Sequence, residues 1–174
     1  MNQSNDFLSF PQGLRLLAGL ATACGLLATG QAADPQAAGP HEAAHHTAVP
    51  ADKVTWGPRP ASLPAGAQIA VLLGSPAKEG PFVIRLKFPD GFVVPPHRHT
   101  KDEFLTVIAG RFAVGTGEKL DRGATTPLPQ ASFVHLPAGM PHFAMASGET
   151  VVQINGMGPF DVTYVDPKDD PRKQ

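Results

Sequence analysis

Across 174 residues the sequence has one cysteine, one tryptophan and one tyrosine, and only 17% of its residues are charged. A lone Cys24 cannot form an intrachain disulfide, and it lies in an apolar N-terminal run, so a chain processed after that run has neither thiolate ligand nor thiol nucleophile. Lys and Arg number 14 against 15 Asp and Glu, with no basic run. That balance, with so few stacking aromatics, excludes the electrostatic footprint of a nucleic-acid binder. There is no G-x-S-x-G, and "GTGEK" at 115–119 is too short for a phosphate loop or a dinucleotide fingerprint. No 20 to 50-residue repeat occurs.

What is abundant is punctuation. Nineteen prolines and eighteen glycines argue against long helices and for short strands joined by sharp turns. With 42% hydrophobic residues the chain suits one compact core with extensions. Residues 1–33 carry Arg15, an apolar run from Leu16 to Ala28 and small residues at Gly30 and Ala32, the pattern of a cleaved secretory signal. The expected compartment is periplasmic or extracellular, with no stable membrane span after cleavage. "LATAC" at 20–24 is a poor lipoprotein signal because Ala21 stands where such signals carry Leu.

Residues 34–67 read as a linker and extended N-terminal segment. His41, His45 and His46 fall in its Ala- and Pro-rich part and are expected to be solvated, and Trp56 is expected to pack on the domain surface. From 68 to 166 the pattern becomes strand-length runs, among them "QIAVLLG", "PFVIRLKF", "DEFLTVIAG", "RFAVGTG", "SFVHLPAG", "HFAMAS" and "TVVQING". In "PFVIRLKF", Phe82, Ile84, Leu86 and Phe88 alternate with Val83, Arg85 and Lys87, the period of a strand with one buried face. Many such strands in one domain predict an all-β sandwich or barrel. The polar 167–174 is expected to be a loose tail.

His97 and His99 are two residues apart, so on an extended segment both imidazoles project from one face. Glu103 follows at the head of an apolar run, where a turn can return its carboxylate to them. Pro137, Gly139 and Pro141 form a rigid bend that presents His142 at the start of a later strand.

These residues resemble the two motifs of the cupin superfamily. Gly91, His97, His99, Glu103 and Gly110 fit the first motif at every named position, and Pro137, Gly139 and His142 fit the second. The second motif is unmet at its ends, where Ala131 replaces a Gly and Ala146 an Asn. The run "GPFDVTYVDPKDDPR", preceded by "VVQINGMG", is similar to small exported bacterial cupins. The resemblance implies a jelly-roll β-barrel over 68–166 with one divalent metal inside, held by His97, His99, Glu103 and His142. Imidazole nitrogens with one carboxylate suit Fe, Mn, Ni, Cu, Co or Zn rather than Ca or Mg. Four protein ligands leave positions for water or a substrate.

The expected activity is a metal-dependent dioxygenase-type oxidation of a small molecule in the barrel, with Glu103 able also to serve as a base. Non-catalytic binding or sensing, and isomerase or lyase chemistry, use the same ligands and stay open. Arg85, Gln153 and Tyr164 are the candidate substrate contacts, although Arg85 also suits a solvated outer face. His135 is expected to be a partly exposed strand residue, and Phe104, Phe112, Phe133, Phe143 and Met145 barrel core or pocket wall. A homodimer is compatible with such a barrel.

Overall fold

The computed structural model describes residues 46–174. The signal expected over 1–33, Cys24, and the start of the 34–67 segment with His41 and His45 lie outside the described residues; His46 is exposed. Nine strands follow, all paired antiparallel: β1 (Gly57–Pro58), β2 (Gln68–Leu73), β3 (Gly80–Phe88), β4 (Val93–Arg98), β5 (Glu103–Thr116), β6 (Thr125–Pro129), β7 (Phe133–Leu136), β8 (His142–Gly158) and β9 (Thr163–Tyr164). They form one continuous sheet that curls into the cupin jelly roll. No helix among the described residues is long and apolar enough to cross a membrane.

The scaffold is the β5–β8 ribbon. Sequence punctuation predicts four short strands here, "DEFLTVIAG", "RFAVGTG", "HFAMAS" and "TVVQING", but the structure fuses them into two long ones that pair from Phe104↔Asn155 to Thr116↔His142. The register slips near Ala109, where the ribbon turns a corner. Gly110 sits there at φ +80°, and a Cβ would meet Glu149 O at 2.4 Å and Thr150 Oγ1 at 2.7 Å. Only glycine tolerates both the left-handed backbone and that approach. Strand breakers in this chain therefore bend strands as often as they end them.

Alternation decides what lies inside. Phe82, Ile84, Leu86 and Phe88 of β3 are buried, as their spacing predicts, and meet Leu105, Val107, Phe112, Val152 and Ile154 of the ribbon. At one end Phe88 stacks on Phe92 (4.7 Å between ring centroids) and on Phe112 (5.7 Å). Phe112 and Phe143 are core, as expected, with Met145 half-buried. Phe104 and Phe133 are not: they are 39% and 60% exposed, on the outer face. The first half of β5 buries Glu103, Leu105 and Val107, so the residues between them point outward, and Phe104 stacks on His135 at 4.9 Å. His135 is exposed, as predicted, 3.3 Å from Asp102.

Two sequence expectations need correction. Part of the 34–67 segment belongs to the barrel: β1 pairs with β2, and Leu63 and Ala67 are buried in the core. Trp56 packs on the surface as expected, under Lys87 Nζ at 4.6 Å from its ring centroid. The 167–174 tail is ordered: Asp166 and Asp170 cap two short turns, and Arg172 grips Asp170 through two hydrogen bonds (2.7 and 2.9 Å) while donating to Val162 O (2.8 Å). β6, which none of the runs read from the sequence covers, is a strand despite Pro127 and Pro129, because it is an edge that pairs with β5 alone.

Candidate metal centre

Three strands bring the four predicted ligands together. His97 is the penultimate residue of β4 and pairs with His142, the first residue of β8; His99 lies just beyond β4; Glu103 opens β5. Glu103 and His142 sit at opposite ends of the β5–β8 ribbon, yet Glu103 Oε2 is 3.3 Å from His142 Nε2 and 3.1 Å from His99 Nε2. Bending the ribbon at its glycine corner is what closes that gap. Each ligand is buried, between 2% and 6% exposed.

The backbone sets the tautomer of every imidazole. His97 Nδ1 bonds to Pro95 O (2.8 Å), His142 Nδ1 to Met140 O (3.0 Å) and His99 Nδ1 to Asp161 O (2.5 Å). A carbonyl only accepts, so each Nδ1 carries the hydrogen, and each neutral ring turns an Nε2 lone pair into the cavity. Fixing one ring nitrogen in this way is how ligating histidines are oriented. The ligand atoms of His97, His99 and His142 all lie within 4.8 Å of one another. Bonds of about 2.0–2.2 Å to one ion place neighbouring ligand atoms roughly 3–3.5 Å apart, so modest convergence completes a shell. His99 Nε2, though near Glu103, is a buried polar atom with no aligned hydrogen-bond partner among the described residues. Such an atom asks for a ligand. The donor set therefore fits a divalent transition metal.

Charge follows the same plan. Burial, helped by His142 and His99, pushes His97 down to about 3, so it is neutral at physiological pH. Burial also opposes charge on His99, but the adjacent Glu103 carboxylate and the Asp161 carbonyl outweigh it and the net shift is upward. For Glu103 burial favours the neutral acid, yet the His142 and His99 rings beside it hold the carboxyl well below its usual range. The site thus keeps one carboxylate charge among imidazoles and is preset for a cation.

A cavity of about 130 Å³ opens from these ligands into the barrel. Its other walls are apolar, including Leu86, Phe88, Leu105, Phe112 and Val152, with Pro60, Ser62 and Leu63 from the N-terminal segment over it. None of the three predicted substrate contacts lines it. Arg85 and Gln153 face each other across the β3–β8 ladder on the outer surface of the sheet, joined by a hydrogen bond of 3.1 Å, because the inner positions of those strands belong to Ile84, Leu86, Val152 and Ile154. Tyr164 is buried but does not line the cavity. Its ring packs 5.9 Å from that of His97, and its hydroxyl donates to Ser62 O (2.7 Å), with burial raising its pKa to about 12.

Residues that sequence reasoning missed surround His99. Asp161 supplies the carbonyl for its Nδ1–H, and the Asp161 carboxylate is itself held by Thr100 N–H (2.8 Å) and Thr100 Oγ1. Phe160 stacks on the His99 ring at 4.2 Å. These contacts join positions some sixty residues apart, and the only trace in sequence is the "PFD" run that closes the domain.

A family model described as a domain of unknown function (DUF4437) matches residues 49–171. No curated protein matches the sequence. Among solved structures, the polyketide cyclase RemF from Streptomyces resistomycificus is 17% identical with a TM-score of 0.58, covering 74% of this chain and 92% of its own. KdgF from a Halomonas species is 20% identical with a TM-score of 0.51, covering 66% and 96%. An RmlC-like cupin from Shewanella frigidimarina is 13% identical with a TM-score of 0.51, covering 66% and 91%. At these identities what is shared is the barrel.

Proposed function

The chain belongs to the DUF4437 family, a domain of unknown function carried here on a cupin barrel, and from that premise we propose that it is a mononuclear metal-dependent oxidoreductase of the dioxygenase type. The observation that carries the reading is the set of three backbone-locked imidazoles and one carboxylate at the end of an otherwise apolar cavity. His97, His99, His142 and Glu103 would hold one divalent ion of the Fe, Mn, Ni, Cu, Co or Zn class. A redox-active member of that class would supply the electron transfer to dioxygen that no side chain in the cavity offers.

The chain's own residues do the rest. The apolar wall excludes water and orients a small molecule toward the ligand end. Among the described residues Glu103 is the one carboxylate in the lining, and when released from the ion it would accept the proton that a substrate hydroxyl gives up on entering the site. Export to the periplasm on a signal over 1–33 is part of the proposal, and amino-terminal sequencing of the mature protein tests it.

Metal analysis of full-length protein purified from its native compartment, followed by oxygen uptake with phenolic or enediol compounds, tests the function. The expected result is about one equivalent of metal and uptake that disappears in His97→Ala. Metal-loaded protein that retains a small molecule without consuming oxygen would replace oxidation with ligand binding.

A further inference from the structure

The polarity of the cavity is confined to one end. Among the described residues, apart from the four candidate ligands, Ser62 is the one polar residue in the lining, and no Lys, Arg, Asn or Gln reaches it. The nearby cations are engaged elsewhere: Arg59 donates to the carbonyls of Pro60, Ala61 and Leu63, Arg85 to Gln153, and Arg98 to Glu118. The wall away from the ligands is hydrocarbon, closed by the parallel rings of Phe88 and Phe112, inclined by 6°. Its volume of about 130 Å³ is close to that of an apolar cavity of about 150 Å³ that takes up benzene.

We propose that this cavity selects a single-ring, uncharged molecule that presents adjacent hydroxyl or keto oxygens to the ligand end and only hydrocarbon to the far wall. Sugar acids and polyhydroxylated rings are rejected. A carboxylate or hydroxyl seated against Leu86, Phe88, Phe112 and Val152 loses its water and finds no donor or counter-charge. The asymmetry is strong because hydrophobic walls discriminate weakly among hydrocarbons but severely against unpaired polar groups. The chelating half of the inference rests on the proposed metal site; selection by the wall does not.

Calorimetric titration of zinc-loaded full-length protein under anaerobic conditions separates the two. Catechol and 3,4-dihydroxybenzoate offer the same chelating oxygens, but the second adds a carboxylate that has to meet the apolar wall. Catechol is expected to bind at least 10-fold more tightly, with myo-inositol giving no heat. A 3,4-dihydroxybenzoate affinity equal to or above that of catechol overturns the inference while leaving the metal function standing. Should the protein hold no zinc, the metal function fails, and the metal-free protein then reports the wall alone. Toluene is expected to bind there and benzoate not, and benzoate binding as tightly as toluene would overturn the inference in that case too.

Discussion

Acidifying the metal-free protein tests whether the barrel has buried a neutral imidazole at His97. Its folded pKa is about 3 against an ordinary 6.5, so between those values the unfolded chain binds a proton that the folded chain refuses. Stability then rises with pH, with a slope approaching about 1.4 kcal/mol per unit. From pH 7 to pH 5 this one group removes about 2 kcal/mol. His99 has the opposite sign: its folded pKa is raised, so its contribution is complete below 6.5 and is lost as pH climbs through the folded value. Glu103 is lowered and weakens the fold only below the ordinary carboxylate range. The window from pH 6.5 to 5 therefore isolates His97. Urea unfolding of wild type and His97→Gln in the presence of chelator, at pH 7, 6 and 5, measures the effect. Wild type is expected to lose about 2 kcal/mol more than the variant across that range. Equal losses would show that His97 protonates in the folded barrel, and the preset cation site would be wrong.

Five other substitutions probe the remaining structure. His142→Ala and His99→Ala are each expected to lower bound metal at least 10-fold by elemental analysis while the folded β signal in circular dichroism persists. Ala131 holds φ +69° where the cupin motif it resembles carries Gly, so Ala131→Gly relieves backbone strain of about 1 kcal/mol, partly offset by unfolded-state entropy, and thermal unfolding should move upward by a degree or more. Gly110→Val places a side chain on Glu149 O and Thr150 at the ribbon corner, which is expected to cost more than about 3 kcal/mol and to abolish metal binding with it. Arg85→Ala, on the outer face, should leave metal content and ligand affinity within twofold of wild type; a larger loss would place Arg85 in the cavity path.

The candidate ligands were legible in the sequence because spacing that suits a metal is short-range. Two imidazoles two residues apart share a strand face whatever the rest of the fold does, and a Pro-x-Gly bend presents the next histidine at a strand start. The buried face of β3 was legible for the same reason, since period-two alternation is local. Strand limits were less so. Gly110 and Gly148 read as strand ends but are corners of continuous strands, and the proline-bearing β6 is visible only once its edge position is known.

By itself, the sequence determined an all-β chain, the four candidate ligands, and the face of β3 that turns inward, because each depends on residues within a few positions of one another. Only the tertiary structure decided that the two ends of the β5–β8 ribbon meet, bringing Glu103 within 3.3 Å of His142. It alone set Arg85 and Gln153 outside, since facing depends on which side of the sheet the barrel closes. And it alone put the Asp161 carbonyl on His99, a contact across 62 positions that no local pattern encodes.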